Sequence, residues 1–317
     1  MTRRNLLATT AAAAATATAI PAWAADLPVI DTHIHLFDPR RKQGIPWPPK
    51  DNLKLYKPAL PDRYRDLVKP FNVRGAVMVE CSPWFDDNQW VLDIIEKDKI
   101  MVGMIGNLEP DHAAFGKQLE QLRRNPLFLG IRYGNLWGRD FHAAVSKPAF
   151  LSGVKLLAGA GLTMDTANPD PALVADLLRL TERVPNLRLV VDHLPKLEVP
   201  TDAAARKAYD KTLAELAKRP LSYVKLSAVL RNVGGKVPED VGFYRDRLDT
   251  LFGLFGEDRV VYGSDWPNSD NTAEYPAVFK VVSDYFTGKT QAQREKYFWR
   301  NSIKAYQWKK RDASQPA

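Results

Sequence analysis

Four side chains in this 317-residue chain have the types and spacing to activate water or polarise a carbonyl: His33, His35, His193 and Asp265. Two of them stand in Asp31-Thr32-His33-Ile34-His35. On a strand alternate side chains share a face, so both imidazoles point one way, about 7 Å apart, and Ile34 points the other. Such a pair can hold a metal ion or polarise a carbonyl from one side. His193 ends Val190-Val191-Asp192-His193 and brings a third imidazole from a distant stretch. Asp265, in Gly263-Ser264-Asp265-Trp266-Pro267, offers a carboxylate that can take a proton from water. An Asp two residues ahead of a proline can equally be a turn former. His112 and His142, near a helix start and in a loop, read as surface residues. Cys81 ends an apolar run and reads as a small core residue.

These residues fall at the ends of short apolar runs. The runs are 29–35, 74–80, 101–108, 127–133, 162–166, 187–193, 223–228 and 259–265, mostly rich in Val, Ile and Leu, as expected of parallel strands covered on both faces. Amphipathic helical patterns lie between them, at 88–97, 114–124, 150–157, 172–183, 205–218 and 244–255, and two more follow at 273–286 and 291–306. Eight strands each followed by helical sequence predict an α/β fold, a single (β/α)8 TIM barrel. In such a barrel catalytic side chains project from the C-terminal strand ends, where all four residues sit. Arg132, Asp165, Lys225 and Trp266 reach the same rim and are candidate substrate-binding residues. Arg132 suits carboxylate capture or an ion pair with Asp165. Lys225 suits a rim acid, an anion or a barrel-layer ion pair. The Pro-rich segment 46–61, with Trp47 and Tyr56, is a long first loop over that face. No glycine-rich dinucleotide turn, G-x-S-x-G elbow, Walker pattern, H-E-x-x-H or paired C-x-x-C occurs.

In VIDTHIHLFDP (29–39), MVGMIGNLEP (101–110), FLGIRYG (128–134), LTMDT (162–166), LVVDHLPK (189–196), YVKLSAV (223–229) and VVYGSDWPN (260–268), the chain resembles the amidohydrolase superfamily. Within its amidohydrolase-2 type it is similar to the lactone hydrolase branch, which holds 2-pyrone-4,6-dicarboxylate lactonases and sugar-acid lactonases. The resemblance implies that Asp265 deprotonates the attacking water while His33, His35 and His193 polarise a lactone carbonyl. It implies that Arg132 meets a substrate carboxylate or hydroxyl. No cofactor is then required; the alternative is one divalent metal, zinc or manganese, on His33, His35 and Asp265. The branch usually continues strand six as Asp-His-Leu-Gly-Lys-Pro, whereas Pro195 and Leu197 stand here in place of the Gly and the final Pro. Two other readings stay open: a metal-dependent non-oxidative decarboxylase of an aromatic acid, and a periplasmic binding protein without catalysis.

Composition bounds the partners. Apolar residues make up 45% and charged residues 26%, an ordinary globular mixture. The formal charge is +8, but no basic stripe interleaves with aromatics, so nucleic acid is not an expected partner; a small molecule is, and an anionic one would suit the charge. One cysteine excludes an intramolecular disulfide. Residues 1–24 carry Arg3-Arg4, an Ala/Thr-rich middle and an Ala22-Trp23-Ala24 end, which together read as a twin-arginine signal peptide. The expected mature domain is 25–317, periplasmic after passage through the export machinery, with no membrane span.

Overall fold

The computed structural model describes residues 20–316. Each apolar run becomes one stave of a barrel: β1 (Val29–Ile34), β2 (Val73–Val79), β3 (Met101–Gly106), β4 (Phe128–Arg132), β5 (Thr163–Asp165), β6 (Arg188–Val191), β7 (Ser222–Lys225) and β8 (Val260–Val261). Neighbouring strands pair in parallel and in chain order. Three backbone bonds join the last stave to the first: Thr32 N to Tyr262 O at 3.1 Å, Asp265 N to His33 O at 2.8 Å and His35 N to Trp266 O at 2.7 Å. The chain is therefore a (β/α)8 barrel. β1 and β3 are buried along their whole length because helices cover the outside and side-chain layers fill the inside.

The helices start and stop where local chemistry allows. Asp170 accepts from Leu173 N as an N-cap, and Pro171 takes the first turn of Pro171–Arg183, where a missing N–H costs nothing. Gly256, at φ 72°, ends Arg245–Phe255 in a conformation that penalises any Cβ.

Two expected elements come out differently. The eighth run holds ladder geometry for two residues only, because the chain turns inward toward Asp265, whose φ is 63°. The pattern at 291–306 forms a helix Gln291–Glu295, a π-turn Lys296–Arg300 and a second helix Asn301–Tyr306. That interruption lets Tyr297 donate to Leu226 O at 2.7 Å and lets Trp299, Tyr306 and Trp308 pack on the barrel-interior residues Ile30, Val77, Val190 and Val261. The C-terminal segment thus packs against the barrel's inner layer.

Of the expected signal peptide, residues 1–19 lie outside the described residues. Ala22–Asp26 is a short helix, with Ala24 buried and Trp23 packed on Phe298 at 5.6 Å beneath the Arg294 guanidinium at 4.5 Å. No helix among the described residues is long and apolar enough to cross a membrane.

Candidate active site

Three imidazoles converge on one carboxylate oxygen. Oδ1 of Asp265 lies 3.2 Å from His35 Nε2, 3.6 Å from His193 Nε2 and 3.7 Å from His33 Nε2. His33 and His35 extend from the end of β1, whereas Asp265 and His193 follow β8 and β6 in left-handed backbone at φ 63° and 52°. Non-glycine residues rarely hold that conformation, and where they do the strain tends to mark a working side chain. The second oxygen of Asp265 accepts from Asn268 Nδ2 at 2.8 Å, which turns Oδ1 toward the imidazoles. Asp31, fully buried, ties β1 to β8: its carboxylate accepts from Ser264 N at 2.8 Å, His33 N at 3.2 Å and the Tyr64 hydroxyl at 2.8 Å. Gly263 makes room at the same junction, since a Cβ there would lie 2.8 Å from His33 Cβ.

The outer nitrogen of each ring meets a different partner. His35 Nδ1 donates to Val79 O at 2.8 Å, so a proton must lie between its Nε2 and Asp265 Oδ1 for that pair to bond. His193 Nδ1 sits 2.8 Å from the Ser227 hydroxyl. His33 Nδ1 faces the Lys225 ammonium at 3.1 Å, with Asp192 Oδ2 farther off at 3.5 Å. Burial, reinforced for His33 by Lys225, pushes that imidazole well below its ordinary range, and burial takes His193 down to about 4, so both are neutral at pH 7. Burial opposes the charge of Asp265, yet His193, His35 and His33 around it hold the carboxyl below its ordinary range.

Beneath this cluster Lys225 bonds Asp165 at 2.6 Å and Asp192 at 2.8 Å, and Tyr306 donates to Asp165 at 2.9 Å. Burial lifts Asp165 to about 7, against the pull of Lys225. Arg132 pairs with Asp192 at 3.3 Å and donates from Nε to Thr166 O at 3.1 Å. Its partner is therefore Asp192 rather than its ladder neighbour Asp165, whose side chain already serves Lys225 and Tyr306.

A cavity of about 680 Å³ opens over the cluster, and His35, His193, Asp265 and Arg132 line it. His33, Asp165, Lys225 and Trp266 do not reach it. All four are sealed at 0–1% exposure, Trp266 packing on Tyr64 at 5.3 Å. Asn268, Ser227, Asp192 and Asp31 are the residues that reading from types and spacing left without a role. Ser227 and Asp192 lay within reach as the polar positions of the strand-seven and strand-six endings. Asn268 carries no signal until the turn after Asp265 is folded.

His33, His35 and Asp265 bring one ligand atom each within 4.8 Å of one another, a spacing that could hold a divalent ion.

A family model described as amidohydrolase matches residues 30–308. The chain belongs to the amidohydrolase family. This amidohydrolase is 26% identical over 242 residues to an L-fucono-1,5-lactonase of Burkholderia ambifaria, covering 76% of the chain and 80% of that protein. It is 26% identical over 250 residues to a 4-sulfomuconolactone hydrolase of Hydrogenophaga intermedia, covering 75% and 74%. Its fold matches a Burkholderia multivorans amidohydrolase crystallised with bound zinc, at TM-score 0.77 and 21% identity, over 89% of this chain and 99% of that one.

Proposed function

We propose that this amidohydrolase opens a neutral sugar-acid lactone with water activated by Asp265. The observation that carries the reading is an ionised carboxylate on the cavity floor, held by imidazoles, in a family whose similar members include two lactone hydrolases. Water attacks the ring carbonyl and Asp265 takes its proton. We assign the Ser227 hydroxyl as the donor in its 2.8 Å contact with His193 Nδ1, which puts the ring proton on Nε2 where it faces the developing oxyanion. The ring C–O bond then breaks, the proton passes from Asp265 to the leaving alkoxide, and a hydroxy acid is released. His33 and His35, below and beside the carboxylate, hold Asp265 in place.

Charge favours a neutral substrate. The Arg132 charge is already matched by Asp192, which meets its Nε at 3.3 Å, so the guanidinium does not call for a second carboxylate from the substrate. At the rim, exposed Lys196 and Glu198 offset each other.

The spacing of His33, His35 and Asp265 would accommodate an ion, which would act there as a Lewis acid. The hydrogen atoms fit it poorly. A metal-bound imidazole normally gives its outer N–H to a carbonyl or carboxylate, as His35 does to Val79 O. An ammonium has only protons to offer, so His33 must accept from Lys225 at Nδ1 and carry its own proton on Nε2, where a metal would bind. Turnover is accordingly assigned to the protein's own groups.

The test is proton release, followed with a pH indicator, across five- and six-membered sugar-acid lactones, pyrone carboxylates and aromatic acids. Acid production from the neutral lactones supports the reading. Activity confined to carboxylated pyrones, or decarboxylation of an aromatic acid, contradicts it.

A further inference from the structure

The cavity wall contains a residue in a place its type disfavours. Leu136–Arg139 is a tight turn closed by Arg139 N to Leu136 O at 3.1 Å, and its two central residues, Trp137 and Gly138, have φ of 60° and 74°. Two consecutive left-handed residues are the hallmark of a turn that prefers Asn-Gly, and a bulky side chain at the first position is strained. Trp137 lines the cavity and is half-buried. Its indole Nε1 donates to Oε2 of Glu80 at 3.0 Å, an oxygen that also accepts from Ser82 N at 3.2 Å.

Glu80 is itself unusual. It follows β2 at 3% exposure, its Oε1 has no hydrogen-bond partner, and the nearest cation, Arg132, stands 3.9 Å from that oxygen. A buried carboxylate with an unpaired oxygen is costly unless something at the site uses it. What Glu80 touches are two cavity-lining side chains, Trp137 and Arg132.

We propose that Trp137 is a specificity-determining wall of the substrate cavity, and that Glu80 is the positioning residue that latches its indole in place. The inference rests on the lactonase reading for its substrate. The indole face would pack on the apolar face of a sugar-acid ring, and the latch keeps the indole over the cavity at the expense of a relaxed turn. A purely structural tryptophan would not be placed at the strained position of a surface turn with its one donor spent on a half-paired buried acid.

Trp137→Asn separates the alternatives, because Asn-Gly is the pair this turn prefers. The variant is expected to melt at or above the wild-type Tm. Its KM for L-fucono-1,5-lactone should rise at least fivefold, with kcat within twofold of wild type. A Tm several degrees lower with KM unchanged would make Trp137 a packing residue and overturn the proposal. The latch is read without substrate, by exchange of the 15N-labelled indole N–H, identified by its loss in Trp137→Phe. Expected is slower exchange at Trp137 than at the exposed Trp84, retained in Glu80→Gln and lost in Glu80→Leu. Equal exchange at Trp137 and Trp84 in the wild-type protein would refute the latch. If no lactone is turned over, the substrate reading fails, while the Tm and exchange results still decide the strained turn and its latch.

Discussion

At the scale of single residues, the proposed reaction depends on which nitrogen of each histidine carries the proton. The three rings are alike in sequence, but their outer partners (a carbonyl, a hydroxyl and an ammonium) give them different tasks. His193 reaches the cavity with a free Nε2, so His193→Ala should lower kcat about 10²-fold, the scale of a lost oxyanion donor, with KM changing less. Steady-state kinetics on the active lactone check this; a change confined to KM would make His193 a binding residue. Asn268→Ala frees the Asp265 carboxylate to rotate and should cost a smaller factor, about tenfold in kcat, from lost orientation. The histidines and Asp265 were legible in the sequence because a His-x-His pair and two distant polar strand endings can meet at only one barrel rim. Asn268 and Glu80 were not, because their roles depend on turn geometry and on burial.

At the scale of elements, eight strands and their order followed from the alternation of apolar runs with helical patterns, and the structure keeps that order. The strand ends were harder to read. Val191–His193 and Val261–Asp265 look like continuing strand by composition, yet the backbone leaves the ladder to aim His193 and Asp265 inward. Lys225 was legible as a cation within a strand, but its place beneath the cavity follows from where Asp165, Asp192 and Tyr306 meet it. Lys225→Met would leave two buried carboxylates without their shared cation. The expected loss is about 3–5 kcal/mol, the cost of breaking a buried pair from one side. Urea unfolding with an unchanged m-value checks it, and a loss under about 1 kcal/mol would mean that water already reaches the cluster. Gly263→Ala forces a Cβ against the Cβ of His33 and should reduce turnover more than stability, since the clash displaces the residue whose ring supports Asp265. Paired measurements of Tm and kcat test that ordering.

For the whole molecule, sequence reading recovered the barrel and the rim at which the three histidines and Asp265 meet, because both follow from parallel topology. The packing of the C-terminal segment against the inner layer was not readable, since a π-turn carries no signature in residue periodicity. The N-terminal boundary has a measurable consequence. Export with cleavage after Ala24, the proposal that Arg3-Arg4 and Ala22-Trp23-Ala24 support, would remove Trp23 from its seat between Phe298 and Arg294. A chain beginning at Ala25 is therefore expected to fold with Tm about 1–2 °C below one beginning at Ile20, equivalent to about 1 kcal/mol for a domain of this size. Equal melting by differential scanning calorimetry would show that the Trp23 contacts add nothing.

The reaction itself is tested most directly by proton release from L-fucono-1,5-lactone, comparing wild-type enzyme dialysed against a strong chelator with Asp265→Asn, both assayed in metal-free buffer. With Asp265 as the base and His193 as the protein's own electrophile, the stripped wild type should keep its full rate. Asp265→Asn, folded but unable to accept the proton, should fall at least ~10²-fold. Loss of wild-type activity on chelation, restored by one equivalent of zinc or manganese, would contradict that mechanism and place a metal ion on His33, His35 and Asp265.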